Sequence, residues 1–361
     1  MGEGALRSHL SNEGHPHPQR GATTGRGGAA GGGNPAGRAD AASAVTSPRT
    51  SPLLSRPGAV AADPPDAGVA AHYGDPFREQ RRLTQGHGLV DLSHRDVVRV
   101  AGPDRLSWLH SLTTQHLTSL APGVATEALV LSPHGHVEHA LSLIDDGEAT
   151  WMHVEPGTAP ALVDFLDRMR FLLRVEVAEV TGAWAVVAEP VSEPHPGHLT
   201  RVVSWGREVF IPRDELEAAA TEAGELAGIW AHEALRVAAH RPRAGRETDH
   251  RTIAAEVGWI PAAVHLEKGC YRGQETVARV HNLGRPPRRL VFLHLDGSVD
   301  TLPAHGDPVL LGERQVGFVT TSARHFELGP VALALVKRAI PVDEPLIAGG
   351  VPGTQEVVVP A

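Results

Sequence analysis

The run Lys268-Gly269-Cys270-Tyr271-Arg272-Gly273-Gln274-Glu275 holds the residue types that a reactive thiol needs. A cysteine reacts as its thiolate, and nearby positive charge favours that form. Two glycines bracket Cys270, which permits a tight loop that other groups can approach closely. Lys268 and Arg272 stand two residues to either side of it. In an extended segment both cations fall on the thiol's side. Gln274 to Arg279 has a helical pattern, so the positive end of a helix follows the cysteine. Cys270 is the one cysteine among 361 residues. That excludes an internal disulfide, a multi-cysteine metal site and a self-held iron–sulfur cluster. A reducing, cytoplasmic compartment is expected.

Histidine, present 22 times, offers a second chemistry. His134, His136 and His139 cluster with Glu138 in Ser132-Pro133-His134-Gly135-His136-Val137-Glu138-His139. Strand alternation puts His134, His136 and Glu138 on one face and His139 on the other. The set does not converge, so no metal centre is expected, and metal binding by these histidines stands as a rival. His232-Glu233-Ala234-Leu235-Arg236 begins like a zinc-protease helix, but Arg236 occupies the place of the second histidine. No G-x-S-x-G elbow supplies a serine nucleophile.

A net charge of −9 and 4% aromatic residues argue against nucleic-acid binding. From His265 to Arg289 the chain nonetheless carries six bases and two acids. Such a local basic stretch suits a small anionic ligand or a solvated face. No apolar run reaches the roughly 18 residues of a membrane helix.

These residues need a scaffold. Residues 1–72, rich in Gly, Ala, Pro and Ser and lacking aromatics, are expected to be a disordered extension. The glycine spacing of Gly25 to Gly33 lacks the strand and helix of a phosphate loop. Val97–Val100 reads as a strand and Gly102-Pro103-Asp104 opens a helix with Leu106, Leu109 and Leu112. Strands follow at 128–131, 137–144 and 150–154, then an amphipathic helix over 158–169 and strands at 175–180 and 184–187. This β-α-β-β-β-α-β-β order predicts an α+β fold of ferredoxin-like split βαβ units. Residues 73–284 form that body, with further helices over 214–223 and 229–239. Short strands split by Gly, Pro and Asp predict a small all-β barrel or sandwich over 285–361.

The run from Lys268 to Glu275 resembles the K-G-C-Y-x-G-Q-E signature of the YgfZ family of folate-binding, tRNA-modification and iron–sulfur-maintenance proteins. The resemblance extends to Glu233-Ala234-Leu235-Arg236, Glu256-Val257-Gly258-Trp259 and Val100 to Arg105, and covers roughly residues 75–340. That family shares its fold with the glycine cleavage T protein, a tetrahydrofolate-dependent aminomethyltransferase. The resemblance implies a ring of domains around a folate channel, tetrahydrofolate as cofactor, and iron–sulfur client enzymes or assembly proteins as partners. It also implies a non-enzymatic assembly role, with Cys270 as functional thiolate and Lys268 as its activator. Tyr271, Arg272, Gly273, Gln274, Glu275, Arg279, His139 and Glu208 become loop anchors or folate contacts.

Aminomethyl transfer is the alternative. Where the transferase has a pair of acids, the first catalytic, the matching positions here are His139 and Ala140. Its R-D-x-L-R arginine is matched by His232, leaving only Arg236. His240 stands where a glycine is usual, and Ala254-Ala255 where Pro-His is familiar.

Overall fold

The computed structural model describes residues 49–360. The sequence-predicted disorder of residues 1–48, and the glycine run within them, lie outside the described residues.

Pro76 and the cap of Asp75 start the first helix. The Asp75 carboxylate accepts from the backbone N–H groups of Phe77 and Arg78 at 3.0 and 3.1 Å, as N-capping requires. This helix, α1, spans Pro76–Thr84. The remaining helices are α2 (Arg105–Leu112), α3 (Ala159–Met169), α4 (Leu216–Ala223), α5 (Ile229–Ala238) and α6 (Gln274–Leu283).

One five-stranded antiparallel sheet runs in the order Ala125–Leu131, Val137–Asp145, Ala149–Val154, Asp96–Ala101 and Glu176–Glu179. The four strands from Val137–Asp145 onward have the order of a split βαβ unit, and Ala125–Leu131 adds an edge. Leu109 and Leu112 of α2 and Leu162 and Leu166 of α3 pack under this sheet as their spacing predicts, whereas Leu106 stays outside that core. A second five-stranded sheet gathers Leu199–Val203, Gly206–Pro212, Trp184–Glu189, Leu89–Asp91 and Leu226–Ala227.

The C-terminal strands close a six-stranded barrel, Arg288–Leu295 pairing with both Gly329–Lys337 and Val351–Val357. Alternation along Arg288–Leu295 divides its side chains. Val291, Leu293 and Leu295 fill the barrel, while Leu290 and Phe292 face outward onto α5, α6 and Trp259. That outer face docks the barrel against the loop that carries Cys270. Among the described residues no helix is long and apolar enough to cross a membrane.

The expectation of a disordered extension through residue 72 fails for its last third. Residues 51–72 form a short 3₁₀ turn and a two-stranded ribbon, Val60–Ala61 with Ala70–His72. Leu53 and Val69 are fully buried, and Asp66 reaches the centre of the molecule. Average composition hid a few well-spaced anchors. This strap is held by particular contacts rather than by an overall apolar content.

Candidate functional site

The cysteine loop is fixed by two glycines and a lysine. Gly269 and Gly273 both have positive φ, +96° and +79°, a region that favours glycine. Gly273 also lies against Gly135, and a Cβ on it would sit 2.5 Å from the Ser132 carbonyl oxygen and 2.9 Å from Gly135 Cα. Thr276 adds a hydrogen bond to the His134 carbonyl at 2.8 Å. The histidine-rich turn and the cysteine loop are therefore one packed unit. Cys270 projects from it, exposed and free.

Lys268 does not do what its spacing suggested. Its ammonium is buried and donates to the carbonyls of His110 and of Thr113, the latter at 2.6 Å, where α2 ends. Helix C-termini leave such carbonyls unpaired and attract cations. The ammonium also lies 4.7 Å from the centroid of the Tyr271 ring. Burial pulls its pKa down to about 8. Lys268 is thus a buried clamp, its charge committed to α2. The second cation is committed too: Arg272 pairs with Glu138 at 3.2 Å and covers the Phe165 ring.

His110 completes the clamp. Its Nδ1 accepts from the Leu117 N–H at 3.2 Å, so Nε2 carries the proton and donates to the Lys268 carbonyl at 3.1 Å. His116 packs edge-on against it and His265 lies tilted beyond, with successive ring centroids 4.8 and 5.3 Å apart. Burial, with the Lys268 charge next, holds the His110 pKa below the usual range.

The middle of the molecule is filled by charge. Arg243 bonds Asp66 at 2.6 Å, Glu155 at 2.9 Å and Glu233 at 3.2 Å. Arg236 bonds Glu233 and Glu247, each at 2.9 Å. His153 donates from Nε2 to Glu208 at 2.8 Å, and Arg201 pairs with the same carboxylate. Burial keeps His153 and His232 well below their ordinary pKa, hence neutral. Despite their burial, the Arg243 and Arg236 guanidinia hold the Glu155 and Glu233 carboxyls down, hence ionised.

Three of the cavities in the described residues bear on the site. An inner one of about 90 Å³ is walled by Arg95, His153, Glu155 and Arg243. It adjoins an outer chamber of about 400 Å³, with Ala140, Glu155 and Ala244 lining both. His139 and Glu138 stand on the outer chamber's wall. The Arg272–Glu138 pair ties that wall to the cysteine loop. A third chamber of about 610 Å³ shares no wall residue with these two and is lined by Trp205, His232, Arg241, Leu83, Val90 and Leu235. Here the Arg241 guanidinium stacks 4.4 Å from the Trp205 centroid, with His232 edge-on to the same ring. Among the described residues its side chain has no ion-pair or hydrogen-bond partner, and its Nε is buried. Burial lowers its pKa to about 9.

The other predicted residues separate. Tyr271 is buried in the core, and burial raises its pKa to about 12. Gln274 starts α6, and Glu275 and Arg279 form an exposed pair along it. Glu208 was expected at a ligand ring, but it is buried and held by Arg201 and His153; Trp205, three residues earlier, is the wall residue. The basic stretch is not one free face. Arg288 is bound by Asp249 and Glu256, and Arg289 is fully buried. His134 and His136 have ring centroids 6.3 Å apart. Among the described residues no group of three or more His, Cys, Asp or Glu is placed to hold a metal ion. His240 adopts φ +56°, which explains why a glycine is usual there. Trp205 and Arg241 were missed because neither belongs to a motif; an isolated Trp-Gly turn and an Arg-Pro-Arg run were their only signals.

Two family models match the chain: the GCVT N-terminal domain over residues 72–190 and the glycine cleavage T-protein C-terminal barrel domain over 288–353. A chloroplastic protein of Arabidopsis thaliana whose name calls it a transferase is 26% identical over 310 residues, 73% of this chain and 69% of its own length. The aminomethyltransferase of Moorella thermoacetica is 26% identical over 309 residues, covering 74% and 83%. The glycine cleavage system aminomethyltransferase T from Bartonella henselae superimposes with a TM-score of 0.75 at 19% identity, over 87% of this chain and 98% of that one. Fold and both domain matches agree: the chain carries the N-terminal and C-terminal barrel domains of the glycine cleavage T-protein family.

Proposed function

We propose that this protein binds a reduced folate in the Trp205 chamber and presents Cys270 to iron–sulfur client proteins, and that it is not an aminomethyltransferase. The observation that carries the folate reading is Arg241, a half-buried arginine stacked on Trp205, its Nε buried and its side chain with no protein acceptor among the described residues, facing a cavity of about 610 Å³. Burying an unpaired charge is costly, so such a site is built for a ligand that supplies an acceptor. A folate fits its chemistry. The flat ring finds Trp205 and His232, the apolar middle finds Leu83, Val90 and Leu235, and Arg241 meets a ring carbonyl or a glutamate carboxylate. The volume falls within the range of about 300–1,000 Å³ usual for such ligands, whereas the inner cavity is too small. When bound, a reduced folate supplies nitrogens that carry one-carbon units.

Acid–base residues argue against transfer. His139 and Ala140 line the outer chamber where the transferase resemblance calls for acids. Among the wall carboxylates, Glu155 and Asp249 are held by Arg243 and Arg288 and have lowered pKa values, which makes them poor proton acceptors. The relatives' names favour the transferase reading, and an assay decides between the two. Cells lacking the native protein and complemented with Cys270→Ser should show reduced activity of iron–sulfur enzymes. Full activity with that variant contradicts the thiol role. Enzymic formation of methylenetetrahydrofolate from an aminomethylated lipoyl carrier contradicts the accessory reading.

A further inference from the structure

We propose that the connection from Arg170 to Arg174 is the knob that docks the protein served by Cys270, a partner offering an apolar socket; this rests on the client reading of that thiol. Phe171 is 82% exposed and Leu172 99%, with Leu173 beside them at 41%. No other large apolar side chain among the described residues exceeds the 52% of Trp230. Apolar side chains clustered in water in this way mark an interaction surface. The tip is held rather than loose. The Leu173 N–H donates to the Arg170 carbonyl at 3.1 Å, closing the turn. Phe171 sits at φ +49°, a backbone that a bulky residue seldom adopts. One leg is pinned by the Trp108 indole, which donates to the Met169 carbonyl at 3.1 Å. The other is pinned by Asp104, which accepts the Arg174 N–H at 2.9 Å and its guanidinium at 2.7 Å. A Cβ on Gly102 would lie 2.1 Å from the Arg174 carbonyl oxygen. The tip is therefore preorganised on the N-terminal end of α2, which lowers the entropy cost of docking.

Its surroundings choose the partner. Arg168 pairs with Asp164, Arg170 with Asp167 at 3.7 Å and Arg174 with Asp104 at 2.7 Å. These matched charges leave the rim neutral, so an anionic lipid surface or a nucleic acid finds no net attraction there. An apolar centre ringed by paired charges is the anatomy of a protein interface. The thiol shares this surface. The eight residues of α2 hold the tip at one end and the Lys268 clamp at the other, a span of about 12 Å. Along α3, Met169 and Phe165 lie one turn apart, and the Arg272 guanidinium covers the Phe165 ring at 5.3 Å. One partner's usual contact area of about 800 Å² exceeds that span, so a protein seated on the tip also reaches the cysteine loop.

The test is complementation of cells lacking the native protein, scored on iron–sulfur enzymes whose activity the full chain restores. Phe171→Ser combined with Leu172→Ser should lower that activity to the level that Cys270→Ser gives, while the purified variant keeps the denaturant midpoint of the full chain. Leu172→Asp repeats the test at a side chain that packs against nothing, and Phe171→Leu with Leu172→Met keeps the knob apolar and should retain activity. Full activity with the serine pair or with Leu172→Asp overturns the knob. So does binding of the full chain to vesicles of phosphatidylcholine and phosphatidylglycerol, or a dimer in sedimentation equilibrium, that the serine pair abolishes, since either gives the tip another occupant. Full activity with Cys270→Ser beside loss with the serine pair removes the thiol reading and leaves the docking surface. Failure of the full chain to restore any such enzyme removes the client reading and the knob with it.

Discussion

At the scale of single residues, Lys268 shows how spacing and structure can part. The sequence places it two residues from Cys270, but its ammonium closes the end of α2. Lys268→Ala should therefore act first on stability. It strips two buried carbonyls of their donor, a loss of about 1–3 kcal/mol, visible as a lower denaturant midpoint. An unchanged midpoint would contradict the clamp. The glycines were more legible. Gly269 and Gly273 were expected to shape a tight loop, and both adopt the left-handed backbone that only glycine takes cheaply. A glycine's demand is local, so sequence reveals it. A lysine's partner lies 155 residues away, so sequence does not.

At the scale of elements, the order of strands and helices was readable because alternation and helical periodicity are short-range. Leu109, Leu112, Leu162 and Leu166 point inward as their spacing predicts. The strap of residues 51–72 was not readable, since its contribution rests on Leu53, Val69 and Asp66 rather than on periodicity. Its importance can be measured. Asp66→Ala leaves Arg243 and His94 short of a buried partner and should cost about 3–5 kcal/mol, read by chemical denaturation. A loss below the scatter of surface substitutions would show the strap to be dispensable. The cysteine loop carries its own prediction. The His110 pKa is lowered in the folded chain, so the unfolded chain binds the proton first as pH falls. The clamp's stability is complete above about pH 6.5 and declines below it. Protonated Nδ1 would also face the Leu117 N–H, a donor against a donor. Hydrogen exchange of residues 265–273 should quicken between pH 7.5 and 5.5, after correction for intrinsic rates. Equal protection at both values would contradict the clamp's histidine.

At the scale of the whole molecule, the centre is a lattice of ion pairs joining residues as far apart as Asp66 and Arg243. Only its local pair, Glu233 with Arg236 on α5, lies in a stretch the sequence singles out; the other members meet only once the sheets, α5 and the barrel have assembled. It consists of neutral histidines and ionised acids, and their linkage adds. His153 and His232 resist protonation, while Asp66, Glu155 and Glu233 resist it at lower pH. Every one of these shifts makes the folded chain bind fewer protons than the unfolded chain. Stability should fall as pH drops below about 6.5 and fall further through the carboxylate range near pH 4. Urea midpoints from pH 7.5 to 4 measure this, and a flat profile would mean the lattice is not as closed as its geometry states.

The lattice also leaves Arg241 outside its pairing, and on that residue the account of function turns. Calorimetric titration of the full chain with tetrahydrofolate, under anaerobic conditions, tests it most directly. Saturable binding at one site, weakened about tenfold or more, near 1.4 kcal/mol, by Arg241→Gln and by Trp205→Ala is the predicted result. No saturable binding, or binding indifferent to both substitutions, would contradict it.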